Sequence, residues 1–159
     1  MMEEAAFLQQ IDQHQGIIHK ICRLYRDSPE DREDLFQEIV FQLWKTKHTF
    51  QGKAKFSSWM YRVALSTAMA TFRKKKPSII YTPELPDLPQ TEEEDQRRQQ
   101  LFAALKQLDD ADKALMALYL EDLSYEEIAE ITGISENYVG VKLTRIRNRI
   151  VKILQTWTH

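Results

Sequence analysis

At 159 residues, 43% hydrophobic and 29% charged, the chain has the composition of an ordinary soluble protein of one domain or two small ones. Its formal charge of -2 supplies no overall basic excess, which excludes tight indiscriminate DNA binding and leaves DNA affinity to local patches or a partner. A lone cysteine, Cys22, excludes an internal disulfide, and four scattered histidines (His14, His19, His48, His159) lack ligand spacing, so neither a metal nor a cofactor is expected.

Scarce glycine and proline suit an all-α chain. A first helix is predicted from about Glu3 to Arg26. Phe7, Leu8 and Ile11 open an apolar face that Ile18, Ile21, Leu24 and Tyr25 continue, with Gly16 a weak point between them. Cys22 reads as a small buried hydrophobe on this helix. Asp27, Ser28 and Pro29 stop it and seed a second helix, about Glu30 to Thr46, whose acidic first turns suit its positive end. Leu35, Phe36, Ile39, Val40, Leu43 and Trp44 form two adjacent stripes that must be covered. Asp34, Gln37, Glu38 and Gln42 project from other faces, where spacing fits simple solvation and a partner surface alike.

The loop KHTFQGKAKF, Lys47 to Phe56, hinges at Gly52 and mixes lysines with aromatics. That composition suits a stabilised turn or a cradle for unstacked nucleic acid equally well. A third helix, capped at Ser57 or Ser58, is expected to reach about Lys76. Phe56, Trp59, Met60, Val63 and Ala64 make its buried face, while Arg62, Ser66 and Arg73 share another. Arg73 to Lys76 then form a basic run, suited to phosphates, before Pro77 ends the helix.

At Pro77 the composition changes. Pro77, Pro83, Pro86 and Pro89 exclude a continuous helix, and the acidic residues from Glu84 to Asp95 would repel DNA. Residues 77–91 therefore read as a linker between a domain at 1–76 and a second at 92–159. The second opens with a helix near Glu92 to Gln107, bearing Leu101, Phe102, Leu105 and Leu108. Asp109 and Asp110 turn the chain into a helix from about Ala111 to Glu121, and Leu115, Leu118, Tyr119 and Leu123 form its apolar side.

Tyr125 to Ile153 is the most informative stretch. Ser124 with Glu127 three residues on forms a capping box, Ile128, Ala129 and Ile131 share one face, and Gly133 supplies the left-handed corner that Ile134 can plug. Ser135 then caps a second helix with Val139, Leu143, Ile146, Ile150 and Val151 at helical spacing. Together these make a helix-turn-helix, in which Glu136, Asn137 and Tyr138 are candidates to face bases, with Lys142 and Arg145 one and two turns on. The tail QTWTH beyond Leu154 is expected to fray. No nucleophile–base pair, paired carboxylate site or glycine-rich phosphate loop occurs, so an enzyme is not expected. Nor does a signal peptide or an apolar run of about 18 residues, so membrane insertion is not expected and a cytoplasmic location is.

Three segments carry a resemblance: DLFQEIVFQLW at Asp34 to Trp44, FSSWMYRVALSTAMATFRKKK at Phe56 to Lys76, and Ala104 to Ile150. Together they resemble bacterial RNA polymerase sigma factors of the extracytoplasmic-function (group IV) type, over nearly the whole chain. The resemblance implies a non-catalytic subunit that binds core RNA polymerase and directs it to promoters. By it, Asp34, Gln37 and Glu38 dock a coiled coil of the polymerase's largest subunit. Phe50, Lys53, Lys55, Phe56, Trp59, Arg62 and Ser66 engage the -10 element and capture a flipped base, and Arg73 and Lys74 grip upstream phosphates. Ser135, Glu136, Asn137, Tyr138, Lys142 and Arg145 read the -35 element. It further implies that the acidic linker threads the RNA exit path and that an anti-sigma factor regulates the chain. Ser66 and Ala70 stand where the family often has asparagine and aspartate, and Tyr138 and Gly140 where threonine and a basic residue are usual, so an individual promoter specificity is expected. A stand-alone helix-turn-helix repressor, or a protein-binding module without promoter use, are the alternatives.

Overall fold

The computed structural model describes residues 3–71 and 92–157, which form eight α-helices and one turn of 3₁₀ helix. The chain divides into two compact units, Met1–Pro83 and Glu84–His159. Residues 77–91, read above as the linker, lie outside the described residues.

Unit 1 holds α1 (Glu4–Gln13), α2 (Gln15–Tyr25), α3 (Pro29–Lys45), the 3₁₀ turn (Lys47–Thr49) and α4 (Phe56–Thr71). The single first helix expected from Glu3 to Arg26 is in fact two, and the break falls at His14 and not at Gly16. The His14 ring Nδ1 lies 2.8 Å from the Gln10 carbonyl, and the His14 N–H is shared between the carbonyls of Gln10 and Ile11. Side chain and backbone thus compete for one acceptor, which loosens the regular ladder there. Ser28 caps α3 by accepting from the Asp31 N–H at 3.1 Å, with Pro29 at the first helical position.

Ile18, Ile21 and Leu24 of α2, Leu35, Ile39 and Leu43 of α3, and Met60, Ala64 and Ala68 of α4 make the buried core. Alanines at the contact let α4 approach closely. Helix α4 starts at Phe56, one residue before Ser57, so neither Ser57 nor Ser58 is its cap; both lie within its first turn. Cys22 is buried beside this core, and burial pushes its thiol up to about 12, which leaves it an unreactive hydrophobe as expected.

Unit 2 holds α5 (Glu92–Lys106), α6 (Asp110–Leu120), α7 (Tyr125–Thr132) and α8 (Glu136–Trp157). Asp109 caps α6, accepting from the Asp112 N–H at 2.8 Å. Leu105, Leu108, Leu115, Leu118, Ile128, Val139, Leu143, Ile146 and Ile150 meet in its core. Leu123 lies past the end of α6, in the turn before α7. Helix α8 continues through Trp157, so the expected fraying beyond Leu154 is not found among the described residues; the Thr156 hydroxyl donates back to the Ile153 carbonyl at 2.6 Å. No helix among the described residues is long and apolar enough to cross a membrane.

Candidate nucleic-acid and partner interfaces

In unit 2 the α7–α8 pair is built by local hydrogen bonds. The Ser124 hydroxyl accepts from the Glu127 N–H while the Glu127 carboxylate accepts from the Ser124 N–H, both at 3.1 Å. Gly133 ends α7 at φ 81°, where its N–H reaches the Ala129 carbonyl at 2.8 Å. A side chain is strained at that angle, so glycine fixes the corner. Ser135 then accepts from the Tyr138 N–H at 3.2 Å and starts α8.

Helix α8 buries Val139, Leu143, Ile146 and Ile150, which leaves Ser135, Glu136, Asn137, Tyr138 and Arg145 exposed. Gly140 sits under Tyr125: a Cβ there would meet the ring at 3.3 Å, so the missing side chain lets the start of α7 lie close against α8. The cations along α8 differ in their ties. Lys142 Nζ lies 3.5 Å from the Asp112 carboxylate, and Arg147 donates to the Tyr119 hydroxyl at 3.0 Å with its guanidinium 5.5 Å from that ring. Arg145 makes no ion pair with any described residue. Spacing gave Lys142 and Arg145 equal standing, and no sequence signal links Asp112 to Lys142.

In unit 1 the loop after α3 closes on an aromatic cluster. Phe7 packs edge-on against Trp44, Phe56 and Trp59 with centroids about 6 Å apart, and Phe50 packs on Phe56 and Trp59 at 5.3 and 5.6 Å. The Trp59 indole N–H donates to the Thr49 hydroxyl at 3.1 Å, which ties the 3₁₀ turn to α4. Phe56 is only 8% exposed and Phe50 and Trp59 are half-buried, whereas Lys53, Lys55, Arg62 and Ser66 are exposed. The aromatics therefore hold the loop's shape while polar side chains face outward. Arg73 and Lys74 lie outside the described residues.

Helix α3 carries a surface that sequence periodicity assigned to the interior. Of its two stripes, Leu35, Ile39 and Leu43 are buried, but Phe36, Val40 and Trp44 are half-buried. With Leu8, Ile11, Gln37 and Phe41 they line an apolar groove of about 510 Å³ between α1 and α3. Leu8 is 52% and Phe41 55% exposed, and Asp34 and Glu38 neighbour Gln37 on the same helix. His19 stacks on Phe36 at 4.7 Å, and burial lowers its pKa below 6.5 against the opposing pull of Glu33. No cluster of metal-ligating side chains occurs among the described residues.

Family models of sigma-70 region 2 and sigma-70 region 4 match residues 10–77 and 98–150. The RNA polymerase sigma factor SigV of Bacillus subtilis is 29% identical over 137 residues, covering 85% of this chain and 82% of that protein. The ECF RNA polymerase sigma factor SigW of the same organism is 26% identical over 172 residues, covering 96% and 91%. Among solved structures, the sigma factor RpoE of Bartonella quintana, crystallised with the anti-sigma factor NepR, superposes with a TM-score of 0.71 at 17% identity, over 94% of this chain and 97% of that one.

Proposed function

This chain belongs to the extracytoplasmic-function sigma factors, the subunits that direct RNA polymerase to promoters for transcription initiation, and we propose that its two units divide that work. Unit 1 takes core polymerase and the -10 element; unit 2 takes the -35 element. In domain terms, residues 1–76 and 92–159 act through an acidic linker at 77–91 that follows the RNA exit path.

The observation that carries the docking assignment is the groove on α3. A soluble protein seldom leaves large apolar side chains together on its surface without a partner, and Leu8, Phe41 and Trp44 lie together along this groove. An apolar ridge of the polymerase coiled coil fills it, and Asp34, Gln37 and Glu38 set its polar register. In the -10 element, Arg62 and Ser66 on the exposed side of α4 meet the nontemplate strand, with Lys53 and Lys55 on its phosphates and the Phe50–Phe56–Trp59 cluster shaping the pocket. Extruding a base costs a few kcal/mol, which polymerase-held contacts offset. Arg73 and Lys74 take upstream phosphates.

In unit 2, α7 and α8 act as a helix-turn-helix. Ser135, Glu136, Asn137 and Tyr138 open α8 on its exposed side, where a recognition helix meets base edges, and Arg145 follows two turns on. Lys142, paired with Asp112, flanks the same surface. By likeness to the complex of RpoE with NepR, an anti-sigma factor is the regulatory partner.

The test is co-elution of the chain with core polymerase, followed by transcription on genomic promoter fragments. Binding with a defined start site is expected. Replacing Gln37 and Glu38 together with lysine should weaken association by roughly 2 kcal/mol or more, as for a central interface contact, while leaving helicity intact. Unchanged association would remove the docking assignment, and tight duplex binding by the chain alone would favour a repressor.

A further inference from the structure

On the reading that α8 lies in the major groove, we propose that Asp112 is a positioning residue for DNA recognition. It keeps Lys142 on the protein as an internal counter-charge, so that Lys142 braces Tyr138 and makes no phosphate contact. Asp112 lies in the first turn of α6, a different element from the one that meets DNA. Its Oδ1 is shielded from solvent and has no hydrogen-bond partner among the described residues. The charge that faces it is Lys142 Nζ at 3.5 Å, and the two side chains are 13% and 30% exposed respectively.

A carboxylate oxygen shielded in this way has lost its hydration, and the ammonium offsets that loss. Drawing Lys142 away to a phosphate would leave the carboxylate with only the positive end of α6 to offset its charge, which is the costly way to break such a pair. A phosphate on a solvated duplex offers less in return, because exposed ion pairs are weak and screened by salt. The same ammonium lies 5.7 Å from the Tyr138 ring centroid, within range of cation–π attraction. Tyr138 is 46% exposed, and its N–H donates to the Ser135 hydroxyl. Asp112, Lys142 and Tyr138 thus form a chain of contacts from α6 to the first turn of α8. Arg145, which has no such tie among the described residues, is left as the cation of this pair that reaches DNA.

The experiment uses holoenzyme assembled from the full chain and core polymerase, on duplex promoter fragments that wild-type holoenzyme selects from a random library. Affinity is measured across a salt series. Asp112→Asn preserves shape and releases Lys142 to the DNA, so the slope of log affinity on log salt should steepen by about 0.9, or roughly a 3.5-fold greater loss between about 50 and 200 mM salt. Lys142→Gln should leave the slope where it was. The double variant Asp112→Asn/Lys142→Gln, which buries no unpaired charge, should return to the wild-type slope.

Three results would overturn the proposal: an unchanged slope in Asp112→Asn, a slope about 0.9 shallower in Lys142→Gln, or a steepening that persists in the double variant. The last would mean that the lost negative charge acts through space and not through Lys142. A merely structural aspartate would move the melting temperature but not the salt slope. Asn137→Ala separates this proposal from the one beneath it. If that change and the alanine variants of Glu136, Tyr138 and Arg145 all leave base selectivity intact, α8 does not read the groove; if any of them relaxes selectivity while the slopes fail, only the role of Asp112 falls.

Discussion

Helices α3 and α8 span 17 and 22 residues, and they spend their surfaces differently. Helix α3 buries Leu35, Ile39 and Leu43 and still has Phe36, Val40, Phe41 and Trp44 left over, which line an open groove. Helix α8 has a narrower apolar stripe through Val139, Leu143, Ile146 and Ile150, and most of the remainder is polar or charged. A surplus of apolar surface is released from water by another protein, whereas a surplus of polar groups is matched by base edges and phosphates. On the proposed reading, the kind of residue left after the core is filled sorts the partners of these two helices, another protein for α3 and DNA for α8.

The comparison breaks first at the cores. Ile39→Ala removes a fully buried side chain from unit 1 and should cost about 2–5 kcal/mol. Denaturation followed by fluorescence reports it through Trp44 and Trp59, both in unit 1. If the groove depends on the core stripe beneath it, this change should also weaken polymerase association while leaving base selectivity at the -35 element untouched. Loss of both together would mean that the units are not separable in function.

A smaller effect is expected on the other side. Arg145→Ala should weaken promoter binding by roughly 1–3 kcal/mol if its guanidinium reads a base. Selection from a randomised -35 library checks this, because base reading relaxes preference at one position and a phosphate contact weakens all sequences alike. Association with core polymerase should not change in this variant; a change would blur the division between α3 and α8.

The smallest effect concerns acidity, and it belongs to unit 1 alone. Burial disfavours the charged form of His19, so its folded pKa lies below 6.5. As pH falls through 6.5 the unfolded chain gains a proton that the folded chain does not. Stability is therefore complete above 6.5 and declines until the lower folded value is reached. His19→Phe, which keeps a ring against Phe36, should remove that part of the decline in denaturation midpoints. An identical pH profile in the variant would show that His19 titrates normally in the fold.

How far the sequence reaches can be followed residue by residue. The capping box of Ser124 and Glu127, the left-handed Gly133 and the Ser135 cap were all legible, because each rests on hydrogen bonds within three or four residues along the chain. Cys22 was legible as core because its neighbours on α2 are apolar. The break at His14 was misplaced at Gly16, since low helix propensity marks glycine while the competition for the Gln10 carbonyl depends on a side-chain rotamer. Phe36, Val40 and Trp44 were assigned to the interior because periodicity records that a stripe is apolar and not whether another helix covers it.

The amino-acid sequence by itself therefore determined most of the helices, several of their ends, the left-handed corner before α8 and the family to which the chain belongs. The local features follow from backbone geometry and from side-chain spacing along one helix, and the family follows from the resemblance of three segments. Only the tertiary structure decided that part of the apolar surface of α3 stays open as a groove, that Phe56 supports its loop from inside, and that Lys142 is tied to Asp112 while Arg145 is not. Each of those depends on which helix packs against which, and distances between residues on different helices are set by the shape of the whole core.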